Sequence, residues 1–268
     1  VSAEVRSGVE RIADAFAGTS RRAALMPYLM GGFPTLEESV RIGEAYVAAG
    51  ADLIELGVPY SDPLADGPVI HAAGTRALAA GSSIAGVFEV ARALAVEVPV
   101  VLMCYANMVL APGAEAFVER LARTGACGLI VPDLPVGEGP EVLQACDAHG
   151  IALIPLVAPT TTPERMREIG AQAKGFLYTV SVVGTTGERE ALAGRFGEIV
   201  ARAKASTSVP VALGFGIGTP EQARLAADAG ADGVIVGTRL VRAVDEAPED
   251  PAAAAGAVVA GLAAALER

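Results

Sequence analysis

The chain has 268 residues, 52% of them hydrophobic, enough for one large α/β unit or two smaller ones with a substantial core. Its formal net charge of −11 argues against nucleic acid or an anionic membrane as partner, but leaves room for a small phosphorylated molecule held by backbone N–H groups. Cys104, Cys127 and Cys146 are odd in number and follow neither a C-x-x-C nor a zinc spacing, so they read as buried thiols of a reducing compartment. No signal-peptide pattern is visible, and the cytoplasm is the expected location.

The chain opens on an amphipathic helix with Val5, Val9, Ile12 and Phe16 at helical spacing. Short apolar runs then alternate with helical patterns. The first strand is expected at 24–30, followed by a helix at 36–49; the second strand at 52–56 is followed by an extra helix near 68–80 and another at 84–95. Further strands are expected at 98–104, 128–132, 152–157, 176–180, 209–213 and 233–236, with helices at 114–124, 138–149, 163–173, 190–204 and 220–229 between them. The apolar C-terminal stretch is too short to span a bilayer and reads as a packed helix capped by Asp250, with Pro251 at its first position.

Strands alternating with helices imply right-handed βαβ units and a parallel sheet, and continuous Val/Ile/Leu runs fit strands covered on both faces. Eight such units predict an α/β fold of the (β/α)8 TIM-barrel type, with an extra N-terminal helix and extra helices in the βα loops. A doubly wound open sheet is the competitor, but G-G-F-P after the first strand is a poor match to its glycine-rich turn. No linker or low-complexity tract interrupts the pattern, so a single domain over 1–268 is expected.

Active sites of such barrels lie at the C-terminal ends of the strands. Glu55 interrupts the apolar second strand there, and Asp66 follows on a Pro/Gly-rich loop. An unpaired buried carboxylate is expensive, so Glu55 is either part of a structural network or a chemical group. Other polar residues at that rim are Tyr105, Asn107, Asp133, Thr160 to Thr162, Tyr178 and Ser181. G-F-G-I-G-T-P, with Gly214, Gly216 and Gly218, and G-T-R-L, with Gly237 and Thr238, occupy the usual barrel phosphate position. Thr238 is expected to cap the helix that begins there, with Ser181 and Gly184 as further donors.

Missing residues narrow the reaction. His71 and His149 have no metal-ligand spacing. Of the two lysines, Lys174 precedes the sixth strand and Lys204 lies in an outer helix, so no Schiff-base lysine stands at a strand's C-terminal end. No Ser/His/Asp set is evident. Carboxylate acid/base chemistry on a phosphorylated substrate remains, and a partly buried Glu55 tends towards the raised pKa that a proton shuttle requires.

The stretch I-E-L-G-V-P-Y-S-D-P-L-A-D-G-P resembles the signature of the tryptophan synthase alpha subunit family. The resemblance continues through Y-A-N, L-I-V-P-D-L-P, L-V-A-P-T-T, Y-T-V-S-V-V-G-T-T-G, G-F-G-I-G-T-P-E-Q-A and A-D-G-V-I-V-G-T, in order and over nearly the whole chain. It implies retro-aldol cleavage of indole-3-glycerol phosphate into indole and glyceraldehyde 3-phosphate. By resemblance, Glu55 is the general acid/base, Asp66 holds the indole N–H, and Tyr178 positions Glu55 and the substrate. Gly184, Gly216, Gly237 and Thr238 would line the phosphate site, and Thr186 would meet the second carboxylate when a loop closes. The resemblance also implies a beta-subunit partner in an α2β2 complex, facing Asn107 and the M-V-L-A-P segment, with pyridoxal phosphate in that partner and no cofactor in this chain. Many members have G-D-P where this chain has G-F-P, which sets Phe33 in a loop expected near the interface. The rival readings are a stand-alone indole-3-glycerol phosphate lyase, another phosphate-binding barrel enzyme, and a non-catalytic barrel that only activates the beta subunit.

Overall fold

The computed structural model describes residues 6–180, 189–214 and 216–268. Its strands are β1 (Ala24–Met30), β2 (Ile54–Gly57), β3 (Val100–Met103), β4 (Gly128–Ile130), β5 (Ala152–Leu153), β6 (Leu156–Val157), β7 (Leu177–Val180), β8 (Val211–Gly214) and β9 (Gly233–Val236). All pairings are parallel, in the order β5-β4-β3-β2-β1-β9-β8-β7-β6. The expected fifth strand, 152–157, is therefore in two pieces. Ile154 donates to the Leu129 carbonyl on the β4 side, and the Pro155 carbonyl accepts from Tyr178 on the β7 side. Pro155 has no N–H to give back, so a ladder bond is missing where the strand would otherwise be unbroken. Counted as one strand, the two pieces close an eight-stranded barrel.

The helices are α1 (Gly8–Gly18), α2 (Leu36–Ala48), α3 (Pro68–Ala79), α4 (Ile84–Leu94), α5 (Ala106–Leu110) and α6 (Ala114–Ala122). They continue with α7 (Pro140–Ala148), α8 (Pro163–Gln172), α9 (Arg189–Lys204), α10 (Pro220–Asp228), α11 (Thr238–Glu246) and α12 (Pro251–Ala265). Side-chain caps fix their starts: Ser7, Thr35, Ser83, Thr162, Thr219 and Asp250 each accept an N–H from the first turn. Asp250 and Pro251 sit as the sequence predicts. Among the described residues, no single helix is long and apolar enough to cross a membrane.

Side chains alternate across the strands and divide the core in two. Inside the barrel lie Ala24, Met26, Leu53, Val101, Ile130, Ala152, Phe176, Tyr178, Ala212 and Ile235. Ile12 and Phe16 of α1 join this inner cluster and plug the end where the strands begin. Of the expected stripe on α1, Val9 packs against the same cluster and Val5 lies outside the described residues. The larger cluster fills the layer between sheet and helices.

The triplet Gly-Ala-Asp occurs before β2 and again before β9, and does the same work twice. The Asp52 carboxylate accepts the Leu25 N–H at 2.8 Å and pairs with Arg21 at 2.7 Å. The Asp232 carboxylate accepts the Val211 N–H at 2.9 Å and pairs with Lys204 at 2.8 Å. Each clasps a strand to the start of its neighbour at the plugged end. Lys174 is likewise tied to Asp147 at 2.5 Å, and His149, the C-cap of α7, meets Glu115 at 2.7 Å.

Candidate active site

At the other end, every second inward position changes character. On β2, Leu53 is followed two residues later by Glu55, 3% exposed, and then by Gly57. Oε2 of Glu55 is buried without a hydrogen-bond partner. Burial first, and the Asp66 charge second, push the Glu55 carboxyl up from its ordinary 4.5 to about 8. At neutral pH this side chain is a protonated acid, which is how an unpaired carboxyl tolerates an apolar strand.

Asp66, half-buried, comes from the loop after β2. Burial raises its pKa, while hydrogen bonding to Tyr105 and then the His71 charge pull it back. Two neighbouring carboxyls thus differ in environment: one is deeply buried with an oxygen left unpartnered, the other is half-buried and favoured in its charged form by Tyr105 and His71. Such a pair separates an acid from a carboxylate.

Tyr178 of β7 and Tyr28 of β1 border Glu55. Tyr28 is its register partner, and both phenols are buried and pushed well above their usual range, with Glu55 among the causes. Their rings need room. A Cβ at Gly57 would lie 2.0 Å from the Tyr28 hydroxyl, and one at Gly214 would lie 2.5 Å from the Tyr178 ring, so only glycine fits at either place. The sequence alone does not single out Tyr28, although its position matches that of Glu55: a polar residue near the C-terminal end of an apolar strand.

The Gly216 and Gly218 turn abuts the start of α11, where a Cβ on Gly218 would touch the Arg239 side chain at 3.4 Å. Gly216 has φ +80°, which by itself accounts for a glycine there. The cap of α11 is Gly237, with no side-chain hydrogen bond, so Thr238 is the first helical residue and not the cap expected. Its exposed hydroxyl is free of the capping role and sits beside the open N–H groups of the first turn. Gly184, Thr186 and Ser181 lie outside the described residues.

Several rim residues have structural work. Asp133 accepts the Ala106 N–H at 2.8 Å and so holds the start of α5, a helix the sequence did not reveal. Thr161 accepts the Ala158 N–H, and Thr162 caps α8. Of the M-V-L segment, Met108 and Val109 are buried in the core and Leu110 is 42% exposed. Phe33 is turned inward, 3% exposed, with the Arg76 guanidinium 4.8 Å above its ring. A cavity of about 620 Å³ opens beside the split strand, lined by Leu134, Leu153, Leu156, Ile169 and Arg165 among others. None of Glu55, Asp66 or Tyr178 lines it.

A parallel barrel with a buried acid, a neighbouring carboxylate and glycine-rich turns at its C-terminal mouth has the layout of the TIM-barrel enzymes. The family model for the tryptophan synthase alpha chain matches residues 15–265. A tryptophan synthase alpha chain of Methanosarcina mazei is 51% identical over 226 residues, covering 84% of this chain and 83% of the relative. One of Gloeobacter violaceus is 48% identical over 245 residues, covering 90% and 89%. The crystal structure of the alpha subunit from Legionella pneumophila superposes with a TM-score of 0.88 at 35% identity, over 98% of this chain and 99% of that one. A tryptophan synthase structure from Mycobacterium tuberculosis gives 0.88 at 38%, over 98% and 100%. The chain belongs to the tryptophan synthase alpha chain family, lyases that cleave indole-3-glycerol phosphate to indole and glyceraldehyde 3-phosphate in tryptophan biosynthesis.

Proposed function

We propose that this chain performs that cleavage with Glu55 as its proton carrier and Asp66 as its counter-charge, as a single barrel domain working in the cytoplasm. The observation that carries the assignment is the buried, unpartnered Glu55 carboxyl beside the half-buried Asp66. Protonated Glu55 gives its proton to ring C3 of the indole, and the positive charge that appears on the ring nitrogen is balanced by Asp66. The bond from C3 to the glycerol carbon then breaks, and its electron pair returns the ring to indole. The hydroxyl on that carbon loses its proton to Glu55 and becomes the aldehyde of glyceraldehyde 3-phosphate, so Glu55 ends protonated as it began. The ring itself accepts the electrons, and no Schiff-base lysine is needed. Tyr178 orients Glu55; Gly216, Gly237 and Thr238, together with Gly184, take the phosphate end, and Thr186 meets Asp66 when its loop closes.

The partner in this reading is a beta subunit, in an α2β2 assembly with pyridoxal phosphate in that partner and none in this chain. Leu64, 84% exposed on the Asp66 loop, and Leu110 on α5 support a protein seated on this rim. The test is indole release from indole-3-glycerol phosphate by the purified chain, with and without a beta subunit, beside Glu55→Gln. Slow cleavage that the partner accelerates and Glu55→Gln abolishes, with substrate still bound, is the expected result. Fast cleavage without a partner would indicate a stand-alone lyase, and unchanged activity in Glu55→Gln would remove Glu55 from the mechanism.

A further inference from the structure

Asp66 sits on a loop, residues 58–67, with no helix or strand of its own. A carboxylate that must meet a ring nitrogen needs its direction fixed, and free loops do not fix directions. One side chain from the neighbouring strand touches this loop in three places. Tyr105, at the end of β3 and 2% exposed, accepts the Ala65 N–H on its hydroxyl at 3.1 Å. The same hydroxyl lies on the Asp66 side of the loop, close enough to the carboxylate to pull its pKa down. Its ring stacks on Tyr60, with centroids 5.1 Å apart and planes at 27°. Its backbone is itself anchored: Tyr105 stands at the N-cap position of α5, whose first N–H is held by Asp133.

A hydroxyl has one proton to give. Because the Ala65 N–H fills an acceptor position of the Tyr105 oxygen, the phenol proton is turned towards Asp66. We infer that Tyr105 is a positioning residue for the cleavage: through Tyr60, Ala65 and Asp66 it pins the loop to β3 and aims the Asp66 carboxylate at the place of the substrate ring nitrogen. The inference rests on the reading of Asp66 given above. The groups facing Asp66 are Tyr105 from the end of β3, His71 from α3, Glu55 from β2 and Tyr28 from β1. Of these, Tyr105 gives the larger of the two pulls that favour the ionised form.

Tyr105→Phe keeps the ring and its stacking and removes only the hydroxyl. The cleavage of indole-3-glycerol phosphate is followed from pH 5 to 9 in the wild type, Tyr105→Phe, Asp66→Asn and the double variant, each checked by circular dichroism and thermal melting. In Tyr105→Phe, kcat/KM falls about ten- to a hundredfold, the range of a hydrogen bond to a charged group. The acidic limb of the profile moves to higher pH, because Asp66 has lost a donor. In the Asp66→Asn background the same substitution costs at least about fivefold less, since the charged acceptor the hydroxyl serves is already gone. An equal loss in both backgrounds, or an unmoved acidic limb, overturns the inference and leaves Tyr105 a packing residue. Near-wild-type activity in Asp66→Asn refutes instead the role of Asp66. If Tyr105→Phe does not fold, 3-fluorotyrosine at position 105 tests the same bond with opposite sign: a stronger donor moves the acidic limb down, and an unmoved limb overturns the inference.

Discussion

Replacing Glu55 by glutamine should abolish cleavage and yet stabilise the protein, increasingly so as the pH rises. Folding lifts the Glu55 carboxyl from 4.5 to about 8, chiefly by burial. Between those values the folded chain holds a proton that the unfolded chain has released. Stability contributed at this position is therefore complete below pH 4.5 and is lost steadily as the pH climbs to about 8, beyond which the loss is constant. At about 1.4 kcal/mol per pKa unit the full loss is roughly 5 kcal/mol as an upper bound. Glutamine has nearly the same shape and does not titrate. At pH 8 the variant should thus melt up to about 10–20 °C above the wild type, using the usual 2–4 °C per kcal/mol for a chain of this size. At pH 4.5 the two should nearly coincide. Differential scanning calorimetry at several pH values reads the difference directly, and comparing the two proteins cancels every other titrating group. A difference in melting temperature independent of pH, or a glutamine variant less stable at pH 8, would refute the reasoning.

Two further outcomes follow from the same geometry. The kcat/KM profile should be bell-shaped, falling above pH 8 as Glu55 loses its proton and falling on the acid side as Asp66 gains one; a rate still rising at pH 9 would show that Glu55 does not act as the acid. Thr238→Ala should raise KM about three- to tenfold with little change in kcat, the mark of a hydrogen bond made equally in ground and transition states; equal effects on both would place the hydroxyl nearer the chemistry than the phosphate.

The alternation of strands and helices was legible because each strand is a short apolar run and many of the helices start on an obvious cap. Ser7, Thr35 and Thr219 are examples, the first and last closing full capping boxes with Glu10 and Gln222. The interruption at Pro155 was not legible, since a proline inside an apolar run looks the same whether or not the ladder survives it. The five residues of α5 are too few to show a period, and only Asp133, from the next strand, holds its start. At the site, Glu55 announced itself as a charge among Ile54, Leu56 and Gly57. Tyr28 did not, because a tyrosine in a strand is ordinary until register sets it beside a carboxyl. Tyr105 was visible as a polar residue at a strand end, but its contacts with Ala65 and Tyr60 cross some forty positions of sequence and exist only after folding. Residues 181–188, which hold Gly184 and Thr186, stand outside the described part of the site.

The first helix deserves a thought in terms of traffic. With Ile12 and Phe16 stopping the floor, the barrel is a room with one door. Among the described residues, traffic to Glu55 is then left to the opposite end, past the loops that carry Asp66 and Tyr105. A protein seated across that opening would become the lintel of the only exit, deciding which molecule leaves into solvent and which is handed on, without touching Glu55.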